Sequence, residues 1–577
     1  MPSLTPSVEA GQEEVPKMSL SPRRLLFSSV FLLVAAFALA CSGGGDGDGN
    51  GGGTSDPLNP DSSTGSTGGS TASVDADLRL PGGDPITLDP AIAGDAGSAA
   101  YIVEIFGGLL TIDQSLQIVP DIAEAMPTET RNPDGTVTYT FKIRRDALFH
   151  SDRPVTAQDF KYSLDRTARL GQTQSATAEA YLGDIVGAKD VTRGRADSIS
   201  GVEVIDSSTL AITIDSPKSY FLAKLTYPTA FVVDQTQVEA NPRNWTRKPN
   251  GTGPYEMVEW RLNERIILQA NDKYHLGAPS VQRVLFQLAG GSTLTQYENG
   301  ELDAATISVN DIERVQSERD PLNAQYKTGP ELSISYIGFN VNVPPFDDPN
   351  VRLAFAKAID KEQIVRVVLL NMLEVANTIM MPGLPGYSAD NATDVQSFNV
   401  EEAQRLLAES KYGGPDGLGP IVITEIGGGA SAGFATQAII EMWRQNLGVE
   451  VSIEQSEAAS FFDDLDRGTL QMFDIGWIMD YPDPEDLIDL LFHSTSRQNN
   501  TGYANPELDA LVEQARTESD PTVRAQLYQE AERLLLQDAP WVPLFYGRDH
   551  IVVKPNVQGF EPQAMVIPRL RYVTITN

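Results

Sequence analysis

The chain has 577 residues, which is too long for one hydrophobic core and predicts two or three domains. Its 78 acidic and 43 basic residues give a net charge of -35, and a field of this sign argues against nucleic acid as a partner because it repels phosphates. The single cysteine and the four histidines, none at ligand spacing, predict no internal disulfide, no metal site and no cofactor.

Residues 1–40 predict an export signal. Two arginines precede an apolar run at 25–40, which is short for a membrane span and typical of a signal-peptide core. The segment Ala-Leu-Ala-Cys resembles the lipobox of bacterial lipoproteins, and this resemblance implies that Cys41 is lipidated and becomes the mature N-terminus. An ordinary cleaved secretory signal is the alternative, and both predict export. Acidic residues upstream of the arginines leave Met1 and Met18 both open as the start of translation.

Residues 41–75 predict a flexible tether, because they are mostly Gly, Ser, Thr, Asn and Asp with little to bury. Such a tether after a lipidated cysteine would hold a folded body away from the bilayer, and two or more acyl chains make anchoring stable. We therefore expect an exported monomer that is bound to the cell membrane through its lipid, on the periplasmic or extracellular face.

From residue 76 onwards the chain alternates between strand and helix patterns, which predicts a mixed α/β fold. Strands are predicted from runs of β-branched and apolar residues at 136–143, 210–214, 266–269, 421–426 and 450–453. Helices are predicted after side-chain caps at Thr156, Asp348, Asn399, Asn505 and Asp520. A further helix at 435–446 joins the last two strands, and a strand–helix–strand unit of this kind predicts a parallel pair.

The stretch 473–484 begins as an apolar run and ends as an acidic turn closed by prolines. A short strand that delivers Trp477, Tyr481 and a carboxylate to its C-terminal end fits the place where open α/β sheets hold ligands. The alternative is a buried strand whose tryptophan is core and whose Asp-Pro pairs mark turns. Taken alone, the carboxylates at 480, 483, 485, 486 and 489 predict the solvated acidic start of a helix.

A second motif, Gly-Ala-Ser-Ala-Gly at 429–433, fits the nucleophile elbow of serine hydrolases. The same stretch loosely fits a dinucleotide-binding pattern, and it also fits a permissive loop whose serine caps the next helix. A secreted hydrolase using Ser431 is therefore a remote alternative, with only His493 and His550 following as candidate bases. We expect a protein that is not an enzyme.

Landmarks spread over 85–560 follow the order of one known family. They are Thr-Leu-Asp-Pro at 87–90, Phe-Gly-Gly-Leu-Leu at 106–110, Val-Thr-Ala-Gln-Asp at 155–159, Gly-Thr-Gly-Pro-Tyr at 251–255, Pro-Phe-Asp-Asp at 345–348, Gly-Trp at 476–477 and Asp-Tyr at 480–481. Together they resemble the bacterial extracellular solute-binding proteins of the peptide- and nickel-binding family, which includes the oligopeptide- and dipeptide-binding proteins of ABC importers. The resemblance implies an α/β, two-lobed periplasmic-binding-protein type II fold with an extra subdomain on the first lobe. It also implies a function, the capture of peptides and their delivery to ABC permease subunits.

The resemblance further implies how the chain divides. Lobe one would comprise 76–107, 223–328 and 544–577, the extra subdomain 108–222, and lobe two 329–543. Two crossings, near 333–340 and 543–546, would form a hinge, and closure about a hinge is a known movement of such proteins.

A ligand site between the lobes follows from the same resemblance. In peptide-binding relatives the aspartate of the Gly-Trp-x-x-Asp segment pairs with the α-ammonium group of the ligand, which here implies Asp480 as the cation anchor. The backbone of this segment hydrogen-bonds to the peptide, which implies Gly476, Trp477 and Ile478. Contacts from the opposing lobe and a ligand-facing aromatic position correspond to Gly94, Asp95, Ala96 and Tyr336.

One departure from the relatives leaves the identity and length of the ligand undecided. Some oligopeptide binders carry an arginine just before the Gly-Trp pair, whereas Phe473, Asp474 and Ile475 precede it here. Capture of a peptide carboxylate and the length of the ligand therefore stay open. An oligosaccharide or other small-solute receptor of the same family is the alternative function, because stacking aromatic residues suit sugars as well as peptides. The acidic composition would suit a cationic ligand, but a saline habitat produces it too.

Overall fold

The structure is a computed structural model, and it describes residues 75–173, 177–427 and 433–576. Cys41 and nearly all of the predicted tether lie outside the described residues, as does Ser431 of the glycine-rich motif. None of the helices in the described part of the chain is long and apolar enough to cross a membrane.

Strands form where β-branched and aromatic residues alternate with polar ones, as in β5, whose side chains are alternately buried and half-exposed over most of its length. In chain order the strands are β1 (Leu78–Pro81), β2 (Leu110–Ile112), β3 (Ile118–Pro120), β4 (Thr128–Arg131), β5 (Val137–Lys142), β6 (Val202–Asp206), β7 (Thr209–Ile214), β8 (Tyr255–Arg261), β9 (Arg265–Ala270), β10 (Arg283–Gln287), β11 (Ala304–Thr306), β12 (Tyr326–Phe339), β13 (Glu374–Val375), β14 (Ile421–Ile426), β15 (Val451–Ser456), β16 (Met472–Ile478), β17 (Trp541–Val553), β18 (Val557–Gln558) and β19 (Thr574–Ile575).

The helices are mostly short, and the longer ones are amphipathic. In chain order they are α1 (Ala96–Ile105), α2 (Ala157–Leu170), α3 (Ala178–Leu182), α4 (Ala188–Thr192), α5 (Phe221–Lys224), α6 (Gln235–Ala240), α7 (Thr293–Glu298), α8 (Ile312–Gln316), α9 (Pro349–Lys357), α10 (Lys361–Gln363), α11 (Val400–Glu409), α12 (Phe434–Leu447), α13 (Ala458–Asp466), α14 (Ile488–Phe492), α15 (Pro506–Thr517) and α16 (Pro521–Asp538).

The helix caps and the parallel strand pair predicted from the sequence are confirmed. Four caps accept a hydrogen bond from a backbone N–H in the first turn of their helix, namely Asp348, Asn399, Asn505 and Asp520. At α2 the Thr156 backbone N–H donates to Asp159 at 2.9 Å, as in a capping box. β14 and β15 run parallel, with α12 between them in the chain. The mixed α/β fold class is confirmed as well.

Two four-stranded sheets are built from the first half of the chain. The first has the order β1-β10-β9-β8, and apolar side chains of α1 such as Ile102 and Ile105 pack with it. The second has the order β4-β5-β7-β6 and is antiparallel throughout. It shares a core with α2, in which Phe141 and Phe160 are fully buried. Each sheet therefore has its own hydrophobic core.

The largest sheet has the order β11-β17-β12-β16-β14-β15, with β13 added to β17. Its two longest strands, β12 and β17, pair with each other in two stretches and connect β11 at one edge to β16 further in. The register between them shifts between Pro330 and Ile334 and again between Ser335 and Tyr336. The ladder is therefore interrupted near the middle of β12, a position where Pro330 also has no N–H to donate.

Candidate ligand-binding site

A cavity of about 1040 Å³ lies between the C-terminal end of β16 and the N-terminal end of α1. Its volume is at the upper end of the range of roughly 300–1,000 Å³ that is usual for ligand pockets. The structure brings all the residues proposed from the sequence together in its wall, namely Gly94, Asp95, Ala96, Tyr336, Gly476, Trp477, Ile478 and Asp480. Residues far apart in the sequence thus meet around one cavity.

The backbone of β16 offers an unpaired edge to this cavity. On one side, Gly476, Trp477 and Ile478 pair with β12 in antiparallel register. On the other side, β14 pairs with β16 only as far as Asp474. Among the described strands, none pairs with the second edge of Gly476 to Ile478, and these residues line the cavity. An extended chain in the cavity could add to this edge as a further strand.

Asp480 follows the end of β16 and is held by two hydrogen bonds. The hydroxyl group of Tyr181 in α3 donates to its carboxylate, and its own backbone N–H donates to Oδ2 of Asp486 at 2.8 Å. Burial raises the pKa of Asp480 to about 7, although the hydrogen bond from Tyr181 acts in the opposite direction. A cationic group in the cavity would restore the ionised carboxylate.

Asp486 is a second carboxylate next to Asp480, and it accepts hydrogen bonds from two groups of the cavity wall. It is fully buried, and its Oδ2 also accepts a hydrogen bond from Nε1 of Trp477 at 3.3 Å. Burial raises the pKa of Asp486 well above its ordinary range, and the nearby Asp480 raises it further. Asp486 therefore fixes the positions of Trp477 and of the Asp480 backbone from a buried site that disfavours its charged form.

The prediction of a solvated acidic helix start at this point is wrong. Glu485, Asp486 and Asp489 are 4%, 0% and 2% exposed. The apolar run at 487–492, Leu-Ile-Asp-Leu-Leu-Phe, is the signal in the sequence that could have indicated this, because a buried helix takes its flanking acids into the core with it. Glu485 and Asp489 have partners that are distant in the sequence, Lys224 and Arg516, and local patterns do not reveal them.

Glu485 finds its partner in Lys224, at the end of α5. Nζ of Lys224 lies 2.8 Å from Oε1 of Glu485 and 3.3 Å from Oδ2 of Asp184. Burial disfavours the charged lysine, but Asp184 and Glu485 outweigh this effect and hold the pKa of Lys224 above its ordinary value. This buried ion cluster joins the region of α5 to the segment that follows Asp480.

The opposite wall is formed by the start of α1. Asp95 caps this helix by accepting a hydrogen bond from the Ser98 backbone N–H at 2.8 Å, and burial raises the pKa of Asp95. Gly94 and Ala96 flank it in the wall. These residues therefore face the cavity at a helix N-terminus, across from β16.

Tyr336 lines the cavity, but most of its surface is packed against protein. It is 4% exposed, and its ring stacks on Trp541 with a centroid separation of 3.3 Å. A second stacked pair, Tyr181 and Tyr227, has its centroids 4.2 Å apart. Both tyrosines of the second pair were missed in the sequence, since aromatic residues in short helices and turns carry no local pattern that marks a ligand site.

The wall of the cavity carries more acidic than basic side chains. Among the described residues that line the cavity, the carboxylates are Asp95, Asp121, Glu331, Glu425, Asp466, Asp474 and Asp480, and the basic side chains are Arg548 and His550. The described part of the chain contains no group of three or more His, Cys, Asp or Glu residues placed to hold a metal ion. The acidic wall of the cavity favours a ligand that carries positive charge.

The chain is similar to known bacterial solute-binding proteins. The family model for bacterial extracellular solute-binding proteins, family 5 Middle, matches residues 117–499. The periplasmic oligopeptide-binding protein OppA of Escherichia coli is 29% identical over 500 residues, which cover 84% of this chain and 89% of that protein.

Solved structures show the same fold. The murein tripeptide-binding protein MppA of Escherichia coli superposes with a TM-score of 0.76 at 27% identity, covering 87% of this chain and 98% of that one. A structure of MppA described as the unliganded open form gives a TM-score of 0.64 at 26% identity, covering 86% of this chain and 96% of that one.

Proposed function

We propose that this chain, which belongs to the bacterial extracellular solute-binding proteins of family 5, captures peptides for an ABC importer. As a member of that family it is a two-lobed type II periplasmic binding protein and not an enzyme. The peptide binds in the cavity between the two lobes and is delivered to permease subunits. The observation that carries the proposal is the placement of the Asp480 carboxylate next to an unpaired strand edge in the cavity wall.

The α-ammonium group of a peptide supplies what Asp480 lacks. An ammonium–carboxylate pair in a dry cavity is strong only when its remaining hydrogen bonds are satisfied. Here Tyr181 donates to Asp480, and Asp486 fixes its backbone. Asp480 is therefore the anchor for the N-terminus of the ligand.

The free edge of β16 supports the recognition of a peptide backbone. Hydrogen bonds from Gly476, Trp477 and Ile478 to an extended ligand read main-chain groups, which every peptide has. Selectivity by sequence would then depend on the side-chain environment in the rest of the cavity. Gly94, Asp95 and Ala96 complete the contact from the opposite wall.

Closure of the lobes over the ligand follows from the domain division. We place lobe one at 76–107, 223–328 and 544–577, the extra subdomain at 108–222, and lobe two at 329–543. The contacts of Tyr181 with Asp480 and of Lys224 with Glu485 then cross between these parts. The lower TM-score to the unliganded open form of MppA, 0.64 against 0.76 for the other MppA structure, supports an arrangement of the lobes that differs from that open form.

The same proposal includes export and anchoring. The lipobox-like segment makes Cys41 the point of lipid attachment, and the tether that follows lets the folded body reach a permease at the membrane. The protein would act as a monomer at the periplasmic or extracellular face.

Titration calorimetry with an alanine pentapeptide tests the role of Asp480. Replacing Asp480 by alanine leaves the ligand ammonium unpaired, and we expect a loss of about 3–5 kcal/mol in binding free energy. Acetylating the peptide N-terminus should weaken binding to the wild-type protein by a similar amount and make little further difference in the variant. Equal affinity of wild type and D480A for the free peptide would refute the assignment, and tight binding of an oligosaccharide instead would identify the ligand class as wrong.

A further inference from the structure

Two carboxylates lie side by side in the cavity wall at some distance along β16 from Asp480. Glu425 of β14 pairs with Asp474 of β16 in parallel register, and Gln455 of β15 pairs with Glu425 on its other side. Directly paired residues on neighbouring strands point to the same face of a sheet. All three side chains line the cavity.

Each of the two carboxylates is held by one of its oxygens. Thr436 Oγ1 donates to Oδ2 of Asp474 at 2.8 Å. Gln455 Nε2 donates to Oε1 of Glu425 at 2.8 Å, and the Gly433 backbone N–H donates to the same oxygen at 3.3 Å. Within the described part of the chain, no group donates a hydrogen bond to the second oxygen, Oδ1 of Asp474 or Oε2 of Glu425.

Both carboxylates that carry a free oxygen are partly or fully buried and line the cavity. Glu425 is only 8% exposed, and its exposed part belongs to the cavity wall. Burial raises the pKa of Asp474 to about 6; the hydrogen bond from Thr436 opposes this rise, and the neighbouring Glu425 adds to it. The two free oxygens are oriented by the bonds to their partner oxygens and are accessible from the cavity, so a cationic ligand there can supply the donors that they lack.

Among the residues that the structure describes, no cation compensates this pair. Neither Asp474 nor Glu425 forms an ion pair with any described residue. The guanidinium group in the cavity wall, that of Arg548, is already bound to Glu374 at 2.6 Å. Residues 428–432, which are not described, are Gly-Gly-Ala-Ser-Ala and contribute no basic side chain.

We propose that Asp474 and Glu425 form a subsite for a cationic side chain of the bound peptide, so that the protein prefers ligands with a lysine or arginine downstream of the N-terminus. This inference rests on the proposed peptide-binding function and specifies its substrate class. Asp474 precedes Asp480 by six positions, which corresponds to at most roughly 20 Å of extended chain. One long peptide side chain and the ligand N-terminus can therefore occupy the two acidic positions together.

The geometry of the pair favours an organic cation. Two carboxylates with two free oxygens match the donors of a guanidinium or ammonium group, and charge-assisted hydrogen bonds to them are about twice as strong as neutral ones. Within the described residues no third His, Cys, Asp or Glu is grouped with them to complete a metal site. Lysine and arginine side chains both carry the required donors.

The test uses the full-length protein and a set of alanine hexapeptides with a free N-terminus and an amidated C-terminus. One lysine is moved through positions 2 to 6, and norleucine, which has a similar length and no charge, replaces it in a parallel set. We expect lysine at one position to bind on the order of 10-fold or more tightly than norleucine, measured by calorimetry. The double variant D474N/E425Q should abolish this preference, so that the lysine and norleucine peptides bind it with equal affinity.

The matched control is Glu454→Gln, which removes one negative charge from the exposed face of β15 next to Gln455. It should leave the lysine preference unchanged. Peptides that bind without any lysine preference, or a preference that survives in D474N/E425Q, would overturn the subsite and leave the proposed function intact. Failure of every peptide to bind the wild-type protein would overturn both. Melting temperatures of all variants show whether each is folded.

Discussion

The hydroxyl group of Tyr181 donates a hydrogen bond to the carboxylate of Asp480, 299 residues later in the chain. The ring of Tyr181 stacks on Tyr227, and this contact orients the hydroxyl group toward Asp480. A hydrogen bond of this kind favours the ionised carboxylate, and it opposes the effect of burial on Asp480. The readiness of Asp480 to accept an ammonium group therefore depends on a residue from another part of the fold.

Peptide affinity should depend on pH through Asp480. In the empty cavity the pKa of Asp480 lies at about 7, and pairing with an ammonium group lowers it. The ligand thus binds the ionised form, so affinity is full above pH 7 and falls as the pH drops through 7, by up to about tenfold per unit. Above about pH 8 the peptide amine itself loses its proton, and affinity should fall again. Calorimetry between pH 5 and 9 measures both limbs.

Two variants test whether the pH dependence of affinity comes from Asp480. The other titratable groups that face Asp480 are Tyr181, Tyr227 and Asp486. The substitution Asp480→Asn should remove the acid limb, because no carboxylate is left to protonate. The substitution Tyr181→Phe should move the acid limb to higher pH, because a hydrogen bond that lowers the pKa of Asp480 is lost. An acid limb that persists in D480N would assign the pH dependence to another group.

Replacing Lys224 by methionine should destabilise the protein strongly. The change leaves Glu485 buried without its cation and leaves Asp184 with Lys218 as its remaining cation, and breaking a buried ion pair in this way costs about 3–5 kcal/mol. Chemical unfolding monitored by fluorescence measures the loss. The double variant K224M/E485Q should recover part of it, because the unpaired charge of Glu485 is then removed. Equal stability of K224M and wild type would show that the cluster contributes nothing to folding.

Stability should also respond to pH through Glu104, a buried residue of α1. Its Oε1 accepts hydrogen bonds from the backbone N–H groups of Arg569 and Leu570, and its Oε2 has no partner among the described residues. Burial raises the pKa of Glu104 to about 7, although these hydrogen bonds oppose the rise. The folded state therefore holds this proton more tightly than the unfolded state, so the stability contribution of Glu104 decreases as the pH rises from about 4.5 to 7.

The substitution Glu104→Gln tests this directly, since glutamine keeps the Oε1 acceptor and removes the charge. We expect the free energy of unfolding to increase by on the order of 1–3 kcal/mol at pH 8 and to change little at pH 4.5. Denaturation curves at the two pH values supply the comparison. A variant that is less stable than wild type at pH 8 would contradict the assignment.

Local patterns in the sequence were sufficient to predict several helix starts and the strand that leads to Asp480. The caps at Asp348 and Asn399 and the strand that ends before Asp480 all depend on residues a few positions apart, which sequence periodicity captures. The resemblance of ordered short segments to a known family then brought residues such as Asp95 and Asp480 into one proposal, and the structure places them in one cavity wall.

The partners of the buried acids could not be predicted in the same way. Lys224 and Tyr181 lie in short helices with no distinctive pattern, and they meet Glu485 and Asp480 only through the tertiary fold. Local reasoning assigned the acids after β16 to solvent because charged residues are usually exposed, and this failed where a distant cation or hydroxyl group compensates them. The role of Asp474 was hidden for a related reason, since only the strand register shows Glu425 beside it.

The interrupted ladder between β12 and β17 bears on how much energy a change of shape would require. Where two strands are joined by a continuous ladder, twisting one half against the other breaks backbone hydrogen bonds, each worth about 1 kcal/mol. Between Pro330 and Ile334 that ladder is absent, so a rotation there breaks no hydrogen bond between β12 and β17 and strains only the bonds of Leu332 to Ala564 and Met479. The balance between an open and a closed form would then be decided by the few contacts across the cavity, and a ligand of modest affinity would be sufficient to shift it.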